Sequence, residues 1–304
     1  RKESSAASDV YKRQIIIMAS LKEVKGRIAS VNSTRKITSA MKMVASAKLH
    51  KAQAAIESML PYERRLHHIL TDFMSNCTEV TSPFIVKREV KKVAVVVFAS
   101  NTSLCGGFNA NVIRHLVDLL AEYKPLGLEN ILVFPVGKKV ADAVRKLGFR
   151  IEGDFQHMAD KPSYQEAADL AADLMKRFLH GDVDKVELLY NHFKSTASQI
   201  LTRETYLPID LNNEKKEEER TIDYILEPSA EELMQEMLPK VLRMKMFTVL
   251  LDSNAAEHAA RTMAMQIATD NANELLQELT VMYNKSRQQS ITNELLDIVG
   301  GSMA

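Results

Sequence analysis

Cysteine is nearly absent from this 304-residue chain: Cys77 and Cys105 are the only two. Two thiols cannot build a disulfide framework, and neither lies in a CxxC or a Cys/His ligand spacing, so a stapled secreted scaffold and a zinc module are both excluded. A reducing compartment fits. Long apolar runs are missing as well: the longest, VAVVVFA (93–99) and ILVFPV (131–136), are strand-sized and far short of the ~20 residues of a membrane-spanning helix. Net charge is only +1, with 40 Lys and Arg against 39 Asp and Glu, which removes any whole-chain bias toward nucleic acid or an anionic membrane. GxxxxGK[ST], GxGxxG and HExxH do not occur, and the one adjacent histidine pair, His67-His68, would point to different faces of a helix. No catalytic residue, metal, cofactor or small-molecule substrate is expected.

Glycine and proline are missing from two stretches, Arg27 to Leu60 and Lys240 to Val299. Sixty helical residues span roughly 90 Å at about 1.5 Å per residue, about three times the width of a small domain. A compact globule has no use for such a helix. Near the N-terminus Leu21, Val24, Ile28 and Val31 recur at spacings of three and four, followed by Ile37, Met41 and Val44 after a shift of phase. In the C-terminal stretch Leu233, Met237, Val241 and Met244, then Leu275, Leu279 and Met282, keep the same spacing. Pro61 is expected to kink or end the first helix, and Ser229 with Glu232 forms a capping box before the second. RKESSAASDVYKRQIII (1–17) is set apart as a leader upstream of Met18.

Between these helices, short β-branched runs alternate with helical patterns. KKVAVVVFAS, ILVFPV, FRIEGDFQH, VELLYNHF and QILTRETYLPI read as strands; NANVIRHLVDLLAEY, KKVADAVRKLG and PSYQEAADLAADLMKRFLHG read as helices. In the last of these, Ser163 and Glu166 form a capping box and Gly181 a stop. The order predicts a mostly parallel sheet covered by helices, with an antiparallel hairpin at one edge. The charged NNEKKEEER (212–220) reads as a solvated loop. Two long terminal helices can bury their stripes only against each other or against another protein. The fold class is therefore α/β plus all-α: a long antiparallel coiled coil of N- and C-terminal helices (18–75 and 228–304) with an inserted Rossmann-like α/β domain (90–227).

FASNTSLCGGFNAN follows a strand and opens a helix, the place where α/β folds put phosphates and nucleophiles. Here Gly106-Gly107 reads as a tight turn, and Cys105, with no base near it in sequence, as a buried structural thiol. Charge is more informative. From Ser20 to Leu60 eight cations face two acids, a net of +6, whereas Glu231 to Val299 has six cations and ten acids, a net of −4. Helix pairing uses part of this complementarity, and the excess around Arg35, Lys36 and Lys42 calls for an acidic partner. Frequent methionine, Met41, Met43, Met244, Met246, Met263 and Met265 among them, suits both core and adaptable contact surfaces. An α/β enzyme using the CGG loop with a helical dimerisation arm, or a nucleic-acid-binding coiled coil, are the alternatives. The basic stretch lacks interleaved aromatics, which counts against nucleic acid.

ITSAMKMVASAKL near the start, SLCGGFNANV after the first strand, and EHAARTMAMQIATDNANELLQELTVMYNKSRQQSITNELLDIVGG at the end closely resemble the gamma subunit of F-type ATP synthases of the bacterial type. The resemblance runs in order over 18–304. It implies a rotor shaft, one copy per complex, turning inside a ring of alpha and beta subunits, with the α/β domain on the epsilon subunit and the membrane c-ring at the cytoplasmic face of the inner membrane. It also implies that Arg35, Lys36, Met41 and Lys42 meet an acidic beta-subunit loop, with Arg261 at a similar height. Arg287, Gln288 and Thr292 would meet beta-subunit loops nearer the tip, and Ile291, Leu295, Ile298 and Val299 would run in an apolar sleeve. Two departures stand out: NTS precedes CGG where the family has DRG or a similar triplet, and the cysteine-bearing regulatory insertion of chloroplast versions is absent.

Overall fold

β1 (Val93–Phe98) is buried along its whole length, as a central strand covered on both faces must be, and its continuous VAVVVF run follows from that position. The computed structural model describes residues 3–76, 82–209 and 230–302. After β1 come α2 (Phe108–Tyr123), β2 (Ile131–Val136), α3 (Lys138–Leu147), the two-residue β3 (Arg150–Ile151), α4 (Gln156–Asp160), α5 (Tyr164–His180), β4 (Lys185–Ser195) and β5 (Ser198–Leu207); α1 (Glu3–Asn76) precedes them and α6 (Ala230–Ser302) follows. The chain divides into two units, Val44–Met263 and Arg1–Met43 with Ala264–Ala304.

In the larger unit the sheet order is β3-β2-β1-β4-β5, parallel except for the β4–β5 hairpin, which is the expected mixed architecture. Alternate residues of β1 serve opposite cores. Val93, Val95 and Val97 pack with Val112, Leu116 and Leu120 of α2 and with Val140 and Val144 of α3. Ala94, Val96 and Phe98 pack with Leu170, Leu174 and Phe178 of α5 and with Leu238, Leu242, Met246 and Leu250 of α6. The run FRIEGDFQH yields only a two-residue edge strand, because Gly153 at φ 74° turns the chain into α4.

Gly137, between β2 and α3, has φ 116°, and a Cβ there would collide with the carbonyl oxygen of Ala99. The two strand-to-helix loops pass this closely because Ala99 N–H donates to Val136 at 2.8 Å and Lys139 N–H to Ser100 at 3.2 Å. Gly137→Ala is therefore expected to lower unfolding free energy by about 2 kcal/mol or more, measured by urea denaturation.

Several local expectations need correction. Ser163 occupies the N-cap of α5 without a side-chain capping bond, and Glu166 instead lies 3.1 Å from His157 Nδ1 on α4. The Gly181 stop is present, in the left-handed conformation at φ 76°. α1 continues through Pro61, as α6 does through Pro239. Proline removes one N–H and frees the carbonyl four residues earlier, here that of exposed Glu57 or exposed Gln235, positions open to solvent. α1 begins at Glu3 and runs past Met18. Ser229 and 212–220 lie outside the described residues.

In the smaller unit, the buried and half-buried positions of α1 include the series Leu21, Val24, Ile28, Val31, Arg35, Thr38 and Lys42, alternating by three and four without a shift of phase. On α6 they include Met265, Thr269, Ala272, Leu276, Leu279 and Tyr283. Thr38 Oγ1 lies 2.8 Å from Thr269 Oγ1 and Arg35 donates to Asn273 Oδ1 at 3.3 Å, so the helices run antiparallel. Ile37, expected inside, is 60% exposed, and Leu275 and Met282 are exposed as well. The difference has one cause: a strict heptad seam here admits Arg, Thr and Lys, whereas hydrophobicity alone places Ile37 inside.

Both threonine hydroxyls also bond backbone carbonyls, of Arg35 and Met265 respectively, so neither needs the other. Replacing the pair by isosteric valines is expected to raise stability by about 1 kcal/mol, read as a higher urea midpoint at unchanged slope. No change within about 0.5 kcal/mol would show that the seam is wet at this level.

Candidate functional site

Two surfaces and one buried cluster carry the chain's distinctive chemistry. On the smaller unit Lys36 is exposed, while Arg35, Met41 and Lys42 are half-buried, Arg35 through its bond to Asn273. Arg35 thus joins the helices before it can offer charge outward, and the outward cation of the set is Lys36. Near the end of α6, Arg287, Gln288 and Thr292 are exposed, with Thr292 Oγ1 donating to the Gln288 carbonyl at 2.9 Å. Ile291, Leu295, Ile298 and Val299 are all exposed, and Leu296, outside the set implied by the resemblance, is exposed with them. Five large apolar side chains within nine residues of one helix end form an interaction surface by composition alone.

Arg261 belongs elsewhere. It lies in the larger unit, is 9% exposed, and its guanidinium donates to the carbonyl of Ser103 in the β1–α2 loop and to Glu257 Oε1 at 2.8 Å. Both arms of this guanidinium are thus engaged inside its own unit. The loop it grips is itself held open to the left-handed region: Leu104 has φ 68° and is exposed, and Gly106 has φ 61°. Ser100 Oγ accepts from Asn109 Nδ2 at 2.7 Å, and Asn101 Nδ2 donates to the Gln156 carbonyl and to Asp160. Cys105 is buried with Phe108 and Ala256, and its Sγ accepts from Asn109 Nδ2 at 3.1 Å. Among the described residues no histidine or carboxylate bonds that thiol. The CGG loop packs α6 through Cys105 and Phe108 against Ala256.

Burial dominates the electrostatics of this cluster. It pushes the Glu257 carboxyl above its usual range, with Arg261 opposing. His258 is pushed down to about 4, first by burial and then by the charges of Lys48 and Arg261, against a pull from Asp160; its Nδ1 has no hydrogen-bond partner. A histidine with a depressed folded value gives stability that is present above its ordinary 6.5 and lost as pH falls toward 4. The loss should reach about 3 kcal/mol, since each pH unit between 6.5 and about 4 is worth about 1.4 kcal/mol. His258→Leu should remove that share of the slope between pH 6.5 and 4 in urea titrations. Glu257 slopes the opposite way above its usual range, so the difference between the two proteins isolates the histidine.

A second buried charge, Glu187 on β4, lies outside the sequence expectations. It is 2% exposed and accepts from Lys185 (2.7 Å), Tyr123 (2.8 Å) and Arg203 (3.0 Å). Its only signal in the sequence is Lys-x-Glu inside an otherwise apolar strand. Among the described residues no group of three His, Cys, Asp or Glu side chains is placed to hold a metal, and no helix is long and apolar enough to cross a membrane.

Comparison with known proteins gives concordant results. The family model described as ATP synthase matches residues 20–304. The ATP synthase gamma chain of Phocaeicola vulgatus is 82% identical over 289 residues, covering 94% of this chain and all of that one. That of Bacteroides fragilis is 65% identical over 290 residues with the same coverage, and that of Parabacteroides distasonis 52% over 285. Among solved structures, a chain of the Euglena gracilis mitochondrial ATP synthase aligns with TM-score 0.60 at 20% identity, covering 94% of both chains, which shows a shared fold. A chain from the central stalk and c-ring of the Tetrahymena thermophila mitochondrial enzyme aligns with TM-score 0.52 at 23% identity, covering 76% of this chain and 99% of that one. On the family match and on relatives this similar along their full length, the chain belongs to the ATP synthase gamma chain family.

Proposed function

We propose that this chain is the non-catalytic central shaft of an F-type ATP synthase, turning inside a ring of alpha and beta subunits and seated on the epsilon subunit and the c-ring at the cytoplasmic face of the membrane. In this reading 18–75 and 228–304 form the shaft and 90–227 its foot. The observation that carries it is the exposed apolar end of α6, Ile291 to Val299, in a chain that aligns with the whole of a gamma chain. Those residues run in an apolar bearing, while Arg287, Gln288, Thr292, Lys36, Met41, Lys42 and the outward part of Arg35 meet beta-subunit loops. A shaft without threefold symmetry offers a different face to each of three like subunits. Each catalytic site is then biased toward a different conformation by its differential contacts, and rotation exchanges the faces. The contacts must be many and individually weak, which exposed Met, Lys and Gln side chains supply.

Affinity purification of the chain from native membranes tests this reading: recovery without alpha and beta subunits would sink it. At finer grain, Met41→Cys paired with a cysteine in the facing beta loop is expected to crosslink on oxidation and stop ATP hydrolysis reversibly. A formed crosslink that leaves hydrolysis unchanged would remove Met41 from the rotating contact.

A further inference from the structure

The two helices that leave the larger unit are attached to its α/β domain by different chemistry. α1 is seated by Leu49 and Ala52, which pack on Ala255 and Ala259 of α6, and by Ala55, Ile56 and Met59 against the main core that the sheet, α5 and α6 share. Among the described residues, no α1 side chain from 44 onward makes a hydrogen bond or ion pair with another element; Ser58 bonds only the Ala55 carbonyl of its own helix, and Lys48 acts on Glu257 and His258 through charge alone. α6 is fixed by a series of directional contacts. The Leu242 carbonyl accepts from Tyr206 at 2.8 Å, and Lys245 pairs with Glu204 at 2.9 Å, both on β5. Asp252 accepts the Phe193 N–H at 2.8 Å and lies 2.6 Å from His192 Nδ1 on β4. Asn254 donates to the Ala159 carbonyl of α4 at 2.8 Å, and Arg261 to the Ser103 carbonyl.

Apolar seating is non-directional and lets a helix turn about its axis at low cost, whereas a hydrogen bond weakens steeply once its angle is lost. At about 100° per residue, Asp252 and Asn254 project roughly 200° apart, so they grip opposite sides of α6 and any twist must strain both. Arg261 repeats the grip of Asn254 two turns farther along. Resting on the rotor reading above, we infer that α6 is the main path of torque between the α/β domain and the shaft, with Asp252 and Asn254 as positioning residues that bolt it, and that α1 follows through its packing on Ala255 and Ala259 of α6.

The test uses the complete synthase in proteoliposomes, with synthesis driven by an imposed proton gradient and hydrolysis measured with uncoupler. Asp252→Ala with Asn254→Ala is expected to lower synthesis about tenfold, equivalent to about 1.4 kcal/mol of coupling free energy, while uncoupled hydrolysis stays within about twofold. Leu49→Ala, which loosens α1, should lower thermal stability and leave the synthesis-to-hydrolysis ratio unchanged. An unchanged ratio in the α6 variant, or an equal fall in Leu49→Ala, would overturn the inference. Should the double variant fail to assemble, Glu204→Gln with Lys245→Met, at half-exposed positions, must lower the ratio in the same direction or the inference fails. If the wild-type chain itself does not restore synthesis to a complex stripped of its gamma chain, the rotor reading has failed instead.

Discussion

Glu187→Leu is expected to destabilise the chain by about 3 kcal/mol, the lower part of the range for breaking a buried ion pair. The carboxylate is enclosed between β4, β5 and α2 and takes bonds from Lys185, Tyr123 and two nitrogens of Arg203. Removing it leaves the Lys185 ammonium only the Tyr123 hydroxyl, at 3.1 Å, in place of a carboxylate. The cost stays at the lower end because Lys185 and Arg203 both reach solvent and Arg203 keeps Glu122 at 2.7 Å. Taking Lys185 and Arg203 to methionine along with Glu187→Leu should recover most of the loss, since only the exposed Glu122 is then left without its partner and no buried charge is unpaired. The pH profile gives an independent check. Burial raises the Glu187 carboxyl, but the bonds from Arg203, Lys185 and Tyr123 outweigh it and hold it below 4.5. Its contribution is therefore present above 4.5 and lost as pH falls through the lower folded value. Urea midpoints of the wild type should fall in that acid window more steeply than those of Glu187→Leu.

Legibility in the sequence differs from element to element. The mixed sheet and its edge hairpin follow from VAVVVF, ILVFPV and the alternation with helices, because a buried parallel strand must be apolar on both faces. The existence of two long helices follows from the missing Gly and Pro. Their facing residues follow only in part. Hydrophobicity assigns Ile37 and Val44 inward, yet they are 60% and 59% exposed, while Arg35 and Thr38 fill the seam. Around Arg35, Thr38 and Lys42 the seam is polar and gains little from burial, so hydrophobic periodicity is a poor guide there, although it places Leu21, Val24, Ile28 and Val31 inside. The internal partners of Arg261 are hidden for a related reason. Sequence spacing shows that Glu257 and Arg261 stand one turn apart, but not that the Ser103 carbonyl waits on the same side. In the same way the apolar pattern at 291–299 marks one helix end, but only the fold shows that these side chains stay exposed.

Arg261→Met is expected to cost about 3 to 5 kcal/mol at pH 8 and less as pH falls. The methionine fills the stem's volume, so the loss is electrostatic: buried Glu257 is left with no cation bonded to it, and the Ser103 carbonyl loses its donor. Burial already raises this carboxyl above 4.5, and without Arg261 the opposing influence is gone, so it rises further. Between 4.5 and that raised value the folded state holds a proton that the unfolded state has lost. Stability is therefore retained below 4.5 and declines as pH climbs, by about 1.4 kcal/mol per pH unit, until the folded value is passed. The reverse slope is expected for His258, which loses a neighbouring cation in the same variant and should recover part of its basicity. Glu257→Gln added to Arg261→Met should flatten the profile and restore most of the stability at pH 8, since a neutral amide costs far less to bury than a carboxylate. A flat profile in the single variant would mean that water enters beside Glu257 once the guanidinium leaves. In that case the cluster would not be the dry joint through which α6 holds the β1–α2 loop.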